Sequence, residues 1–142
     1  MKVMDTSVIT KHLQELDEVV TYLESKKKIT EKDIVQDLEL RFAIERALHL
    51  AIQNTIDIGN HIIASLSIND VETYADIPIK LAEAKIIPQE LSKNLVLMAK
   101  FRNILVHEYV KLEASRLHSF IINDLGDFRR FSQSIISYLR KN

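Results

Sequence analysis

Leu48-His49-Leu50-Ala51-Ile52-Gln53-Asn54-Thr55-Ile56-Asp57-Ile58-Gly59-Asn60-His61-Ile62-Ile63 is the middle of a tract from Ile34 to about Leu66 that holds no proline and one glycine, Gly59. Ile34, Leu38, Phe42, Glu45, Leu48, Ile52, Ile56, Gly59 and Ile63 fall on one seam at three- and four-residue spacing. That is the period of an amphipathic helix rather than of a strand. Ala43, Ala47 and Ala51 keep a neighbouring strip narrow. At about 1.5 Å per residue the helix approaches 50 Å, more than a small monomeric bundle needs. Part of its length is therefore expected to face a partner, with Gly59 and the alanines letting another helix come close. Thr30-Glu31-Lys32-Asp33 precedes it as a near capping box.

Upstream, Asp5-Thr6-Ser7 offers N-cap side chains for a first helix through about Lys27. Val8, Ile9, Leu13, Leu16, Val20 and Leu23 give it one apolar stripe. Lys26-Lys27-Lys28 reads as a solvated helix end, placed where the helix dipole favours positive charge. Downstream, residues 67–76 have weak periodicity and read as a loop. Pro78 suits the first turn of a short helix, Ile79 to Ala84, and Pro88 suits the first turn of the next. That next helix turns Leu91, Leu95, Met98 and Phe101 inward. From Glu113 to Lys141, residues Leu117, Phe120, Ile121, Leu125, Phe128, Phe131, Ile135, Tyr138 and Leu139 keep helical spacing through Gly126. No alternating strand pattern, internal repeat or low-complexity tract interrupts this. The expected architecture is all-α: one domain over residues 1–142, an antiparallel helical bundle with two long hairpins.

Composition narrows the function. With no cysteine, disulfides and thiolate metal sites are excluded, which is compatible with a reducing, cytoplasmic setting. The N-terminus lacks the apolar core of a signal peptide, and no apolar run is long enough to span a membrane. The net charge is −1, from 19 basic and 20 acidic side chains. A protein that holds nucleic acid by backbone electrostatics alone is strongly basic. Any contact with RNA here must be local and phosphate-specific, or the basic surface must be concentrated by folding or dimerisation.

The densest chemistry lies in Arg102-Asn103-Ile104-Leu105-Val106-His107-Glu108-Tyr109. Arginine grips phosphate, histidine moves protons near neutral pH, and tyrosine offers a hydroxyl that can be modified. The pattern R-x4-H-x-Y, with Asn directly after the Arg, resembles the signature of the HepT-like toxins of the HEPN superfamily. The resemblance extends to three flanking segments. Leu48 to Ile63 is similar to that family's second helix, and Leu81-Ala82-Glu83-Ala84-Lys85-Ile86-Ile87-Pro88 to its middle connection. Leu95 to Phe101 is similar to the lead-in of the signature. Together they cover the chain from roughly Asp37 to the C-terminus.

The resemblance implies a HEPN-type homodimer in which two copies of the signature line a shared cleft. It implies a metal-independent endoribonuclease toxin of a type VII-like toxin–antitoxin pair, with RNA, transfer RNA among the candidates, as substrate. It also implies a small nucleotidyltransferase antitoxin that silences the toxin by transferring AMP to the signature tyrosine, here Tyr109. No cofactor and no metal are called for.

The residues can support that chemistry. Cleaving RNA without metal needs a group to take the ribose 2′-OH proton and a cation to stabilise a phosphorane-like transition state. His107 fits the first role and Arg102 the second. On an ideal helix the two stand about 140° apart round the axis. Either the length of Arg102 compensates, or the helix ends near His107, or Arg102 of one subunit works with His107 of the other. Asn103, at i and i+4 with His107, is expected to orient it. Asp57 and His61, also at i and i+4, read as a supporting hydrogen-bonded pair near the cleft, too few to hold a metal. His12, His49 and His118 show no constellation, and Tyr22, Tyr74 and Tyr138 read as packing residues. A reading from another class stands beside the enzyme: a non-catalytic helical module that binds a nucleotidyltransferase, with the signature as docking surface and AMP acceptor.

Overall fold

A computed structural model describes residues 4–107 and 113–142 of the chain, and of residues 106 and 107 the backbone only. Within them the chain forms helices α1 (Thr6–Glu24), α2 (Glu31–Gln36), α3 (Leu38–Ser65), α4 (Asp76–Glu83), α5 (Gln89–His107), α6 (Ala114–Asn123) and α7 (Leu125–Lys141). No strand occurs among the described residues, so the all-α expectation holds.

Local signals place most of the helix starts. The Asp5 carboxylate accepts from the Ser7 backbone N–H at 3.0 Å and caps α1. Thr30 and Asp33 close the expected capping box: Thr30 N donates to Asp33 Oδ2 at 2.8 Å, and Asp33 N donates to Thr30 Oγ1 at 3.2 Å. That box opens only the short α2. Asp37 is extended (φ −117°, ψ 99°) and caps α3 by accepting from the Leu40 N–H at 3.1 Å. The tract read as one continuous helix is therefore two, because an aspartate offers the backbone a cap in place of a helical bond. The longer piece, 28 residues, spans about 42 Å rather than 50 Å.

The C-terminal tract is divided as well, at an aspartate whose side chain forms no cap. Helical spacing runs on through Gly126, yet the chain bends at Asp124 between α6 and α7. Hydrophobic period alone does not register a bend that keeps both pieces on the same core. Pro78 falls in the first turn of α4, which begins two residues earlier at Asp76. The Asp76 carboxylate accepts from the N–H groups of Glu72 and Thr73, both at 3.0 Å, and organises the approach to that helix. After α3 and α4 the chain turns through left-handed residues, Ser67 (φ 57°) and Lys85 (φ 62°). Ile68 N then donates to Ile63 O, and Ile86 N to Leu81 O, the closure usually built with glycine. The lysine run Lys26 to Lys28 lies in the turn beyond α1 rather than in the helix.

Helix α3 is the axis of the bundle. Helix α1 lies along it, with Ile9, Leu16, Val20 and Leu23 buried against Ile44, Leu48, Ala51, Ile52, Ile58 and Ile62. Helices α4 and α5 pack on another side, bringing in Ile77, Leu81, Leu91, Leu95 and Met98, and α7 closes the bundle with Phe128, Phe131 and Ile135. The close approach expected at Gly59 is intramolecular. A Cβ there would stand 2.5 Å from Ile77 Cγ2 and 3.2 Å from Leu81 Cδ1, so the absent side chain is what seats α4 on α3. The seam read from sequence also fails at one end. Leu38 and Phe42 are 56% and 57% exposed, because Arg41 and Ile44 take the inward face of the first turns of α3.

Candidate functional site: a polar ridge on the central helix meets Arg102

Positions 41, 45, 49, 53 and 57 of α3 succeed one another at four-residue intervals, forming a ridge along the helix. In this chain the ridge is entirely polar: Arg41, Glu45, His49, Gln53 and Asp57. Buried Arg41 donates from Nε to Glu45 Oε1 at 3.2 Å. Gln53 donates from Nε2 to Asp57 Oδ1 at 2.9 Å. A row of polar groups against a bundle interior requires partners from the facing helix. Helix α5 supplies one: Arg102 Nε donates to Gln53 Oε1 at 2.9 Å.

Arg102 is thereby held on two sides. Gln53 takes its Nε, and the Tyr74 ring lies under its guanidinium, 4.8 Å from ring centroid to Cζ. A cation over a tyrosine face is worth about 0.5–1 kcal/mol at a solvated site. Among the described residues no carboxylate pairs with Arg102, and its Nη1 reaches only the Asn103 Oδ1 at 3.5 Å. The two terminal nitrogens, a fork that matches two oxygens of a phosphate, meet no carboxylate among the described residues. Beside it opens a cleft of about 590 Å³ lined by Asp57, Asn60, Glu72, Thr73, Tyr74 and Asn103 among others.

One turn along the ridge from Gln53, the His49 Nδ1 stands 3.1 Å from Arg46 Nη1. Guanidinium nitrogens only donate, so Nδ1 accepts and the imidazole is neutral with its proton on Nε2. Burial, followed by the charges of Arg46 and Arg102, holds the His49 pKa below its ordinary value, in agreement with that tautomer. On the opposite flank, His12 donates from Nδ1 to Asn54 Oδ1 at 2.7 Å, while Asn54 Nδ2 donates to Leu50 O. That pair fastens α1 to α3. His118 Nε2 donates to Ile29 O at 3.0 Å and fastens α6 to the loop before α2.

The structure sorts the sequence candidates. On α5, Asn103 lines the cleft and Arg102 lies over Tyr74, another lining residue; the last residue of α5 within the described part is His107. The His107 side chain, and Tyr109 altogether, lie outside the described residues. Asp57 lines the cleft, but its hydrogen bond goes to Gln53, and exposed His61 stands by His12 with ring centroids 6.3 Å apart. The expected Asp57–His61 hydrogen bond is not formed, since Gln53, one turn earlier, competes for the same carboxylate. Tyr74, read as packing, is instead the exposed platform under Arg102. Gln53, Tyr74 and the Arg46–His49 pair were missed. Gln53 and His49 carried a signal, since four-residue spacing runs unbroken from Arg41 to Asp57. Tyr74 carried none, because its partner lies 28 residues away across a loop. Among the described residues no group of three or more His, Cys, Asp or Glu is arranged to hold a metal ion.

The arrangement is an arginine held by Gln53 and Tyr74, with no carboxylate partner among the described residues, mounted on an all-helical bundle. The chain belongs to the ribonuclease HepT-like family, whose sequence model matches residues 9–135. The match takes in most of α1, where the residue-level resemblance had begun only near Asp37. The chain is 28% identical to the tRNA nuclease HepT of Aphanizomenon flos-aquae over 132 residues, covering 93% of this chain and 90% of that protein. It is 32% identical to the mRNA nuclease HepT of Shewanella oneidensis over 96 residues, 68% of this chain and 72% of that one. Its fold matches the tri-AMPylated Shewanella oneidensis HEPN toxin, solved in complex with its MNT antitoxin. That match has a TM-score of 0.82 and 25% identity, over 92% of this chain and 97% of the other.

Proposed function

We propose that this protein is the ribonuclease toxin of a toxin–antitoxin pair and cleaves RNA without a metal ion. The observation that carries the reading is the guanidinium of Arg102, fixed from behind by Gln53 and Tyr74 with its fork turned to no carboxylate among the described residues. Arginine pre-set in that way needs no reorganisation when charge develops on a phosphate. His107, at the end of the same helix, takes the proton from the ribose 2′-OH as that oxygen attacks phosphorus. The P–O5′ bond then breaks, and the leaving oxygen takes a proton. The products are a 2′,3′-cyclic phosphate and a 5′-hydroxyl. Asn103 lies on the cleft rim, where it can contact substrate or orient His107, and Asp57 steadies Gln53.

The working unit is a homodimer in which two such sites share a cleft, and the second His107 supplies the opposite proton transfer. Control comes from a nucleotidyltransferase partner: the Tyr109 hydroxyl attacks the α-phosphorus of ATP, pyrophosphate leaves, and AMP occupies the phosphate site beside Arg102. The naming of two relatives as tRNA and mRNA nucleases, and the tri-AMPylated state of the Shewanella oneidensis toxin in complex with an antitoxin, support this reading.

The test is cleavage of bulk cellular RNA and transfer RNA by purified protein in EDTA, against Arg102→Ala and His107→Ala. Cleavage that survives EDTA and is lost in both variants is the expected result. No cleavage, from protein whose mass shows Tyr109 unmodified, refutes the enzyme and leaves a helical module that docks a nucleotidyltransferase.

A further inference from the structure

The arginines of the described residues divide by what they face. Arg41, Arg129 and Arg130 are each paired with a carboxylate. Arg46, Arg102, Arg116 and Arg140 are not, among the described residues; Arg116 lies over the Phe101 ring, Arg140 is at the exposed end of α7, and Arg46 and Arg102 stand close enough to His49 for their charges to act on it. Arg46 is exposed and its guanidinium rests on a neutral imidazole, which orients the side chain without cancelling its charge. His49 in turn has its Nδ1 occupied, so its one remaining polar atom is a donor, Nε2–H. Glu45, the acidic neighbour on the ridge, is engaged on its far side by Arg41. His49 precedes Gln53, the residue that holds Arg102, by one helical turn, about 5.4 Å along the axis. Two uncancelled guanidiniums and an imidazole donor thus stand in line along α3, in a protein whose net charge is −1.

We propose that Arg46 and His49 form a second phosphate subsite beside Arg102, which takes the phosphodiester next to the one undergoing cleavage. The assignment of RNA as its occupant rests on the ribonuclease reading above, while the subsite itself rests on the geometry of α3. Local pairing of this kind is how a chain without net positive charge can hold a polyanion. Arg46 contributes the charge, His49 a hydrogen bond and the orientation of Arg46, and Arg102 the link to the reacting phosphate.

The experiment is equilibrium binding of a fluorescent 2′-O-methyl oligoribonucleotide, which lacks the attacking hydroxyl, by anisotropy over a range of salt concentrations. Each phosphate neutralised on a single strand contributes a slope of about −0.7 in log K against log salt. Arg46→Gln is expected to make the slope shallower by about that amount and to weaken binding at low salt by about tenfold. His49→Leu, which removes a hydrogen bond to a charged group, is expected to weaken binding by about threefold or more. Arg140→Gln, on the exposed end of α7, serves as the surface-charge control, and helix content by circular dichroism checks folding. An Arg46→Gln protein with wild-type affinity and slope overturns the subsite, as does a wild-type protein that binds no oligonucleotide. Arg46-dependent binding by a protein that cleaves no unmodified RNA sinks the ribonuclease reading and keeps the subsite. Cleavage by wild type with no Arg46 dependence of binding does the reverse.

Discussion

Replacing Gln53 by alanine removes the hydrogen bond that aims Arg102 while leaving the arginine in place. The bond is 2.9 Å long and partly buried. Hydrogen bonds to charged groups are worth about 1.5–3 kcal/mol, and water reaching a partly buried guanidinium recovers some of that. The Tyr74 ring beneath the guanidinium keeps a further share, about 0.5–1 kcal/mol. About 1–1.5 kcal/mol of positioning is then lost, which corresponds to a fall in kcat/KM of about tenfold. Arg102→Ala removes the transition-state contact itself, for which about a hundredfold to a thousandfold is the usual scale. Gln53→Glu gives a third, diagnostic outcome. It keeps an acceptor on Arg102 Nε but sets a negative charge against the phosphate and against Asp57, so its activity should fall below that of Gln53→Ala. The assay is the initial rate on a short RNA in EDTA at fixed ionic strength. Activity of Gln53→Ala within twofold of wild type, beside an inactive Arg102→Ala, refutes the claim that Gln53 positions the arginine.

Gly59→Ala should destabilise the fold by about 1 kcal/mol, since overpacking against Ile77 costs about 1–3 kcal/mol and the better helix former returns about 1. A thermal midpoint a few degrees lower is expected, and a raised midpoint contradicts the packing argument. Phe42→Glu, at a 57% exposed apolar position beside exposed Leu38, should convert the proposed dimer to monomer in light scattering; an unchanged mass places the interface elsewhere. The Arg129 guanidinium, which bonds Glu24 at 2.8 Å, holds the Glu24 carboxyl below its ordinary value of 4.5. Stability from this pair is therefore full above that value and is lost as pH falls through the lower folded value. Glu24 is about one-third exposed, so the contribution is about 0.5–1 kcal/mol after screening. Arg129→Met should flatten the dependence of the urea midpoint on acid pH; an unaltered profile discounts the pair.

How far the sequence was readable follows from the range over which each interaction acts. The helix class came from periodicity, and the Asp5 and Thr30 caps from residues two or three positions from the groups they satisfy. The breaks at Asp37 and Asp124 are equally local, but an aspartate inside an apolar period is ambiguous until the packing of the flanking pieces decides it. Leu38 and Phe42 fit the apolar period yet face outward, because Arg41 and Ile44 take the inward face at that end of α3. The pair proposed to be catalytic, Arg102 and His107, was legible only through resemblance to a family, since nothing in five residues of spacing specifies a cleft. Which side chains hold Arg102 was not legible from the residues around it. Gln53 lies 49 residues away and Tyr74 lies 28 away, and either could have faced solvent. Yet the ridge from Arg41 to Asp57 did carry information. Five consecutive polar positions at four-residue spacing on the central helix of a bundle cannot all be solvated, because neighbouring helices cover the ground beside them. Such a ridge must meet partners from facing elements, and α5 brings Arg102 to it. The same partial cover on the ridge explains why His49 is neutral: burial disfavours its charged form, and its Nδ1 accepts from Arg46.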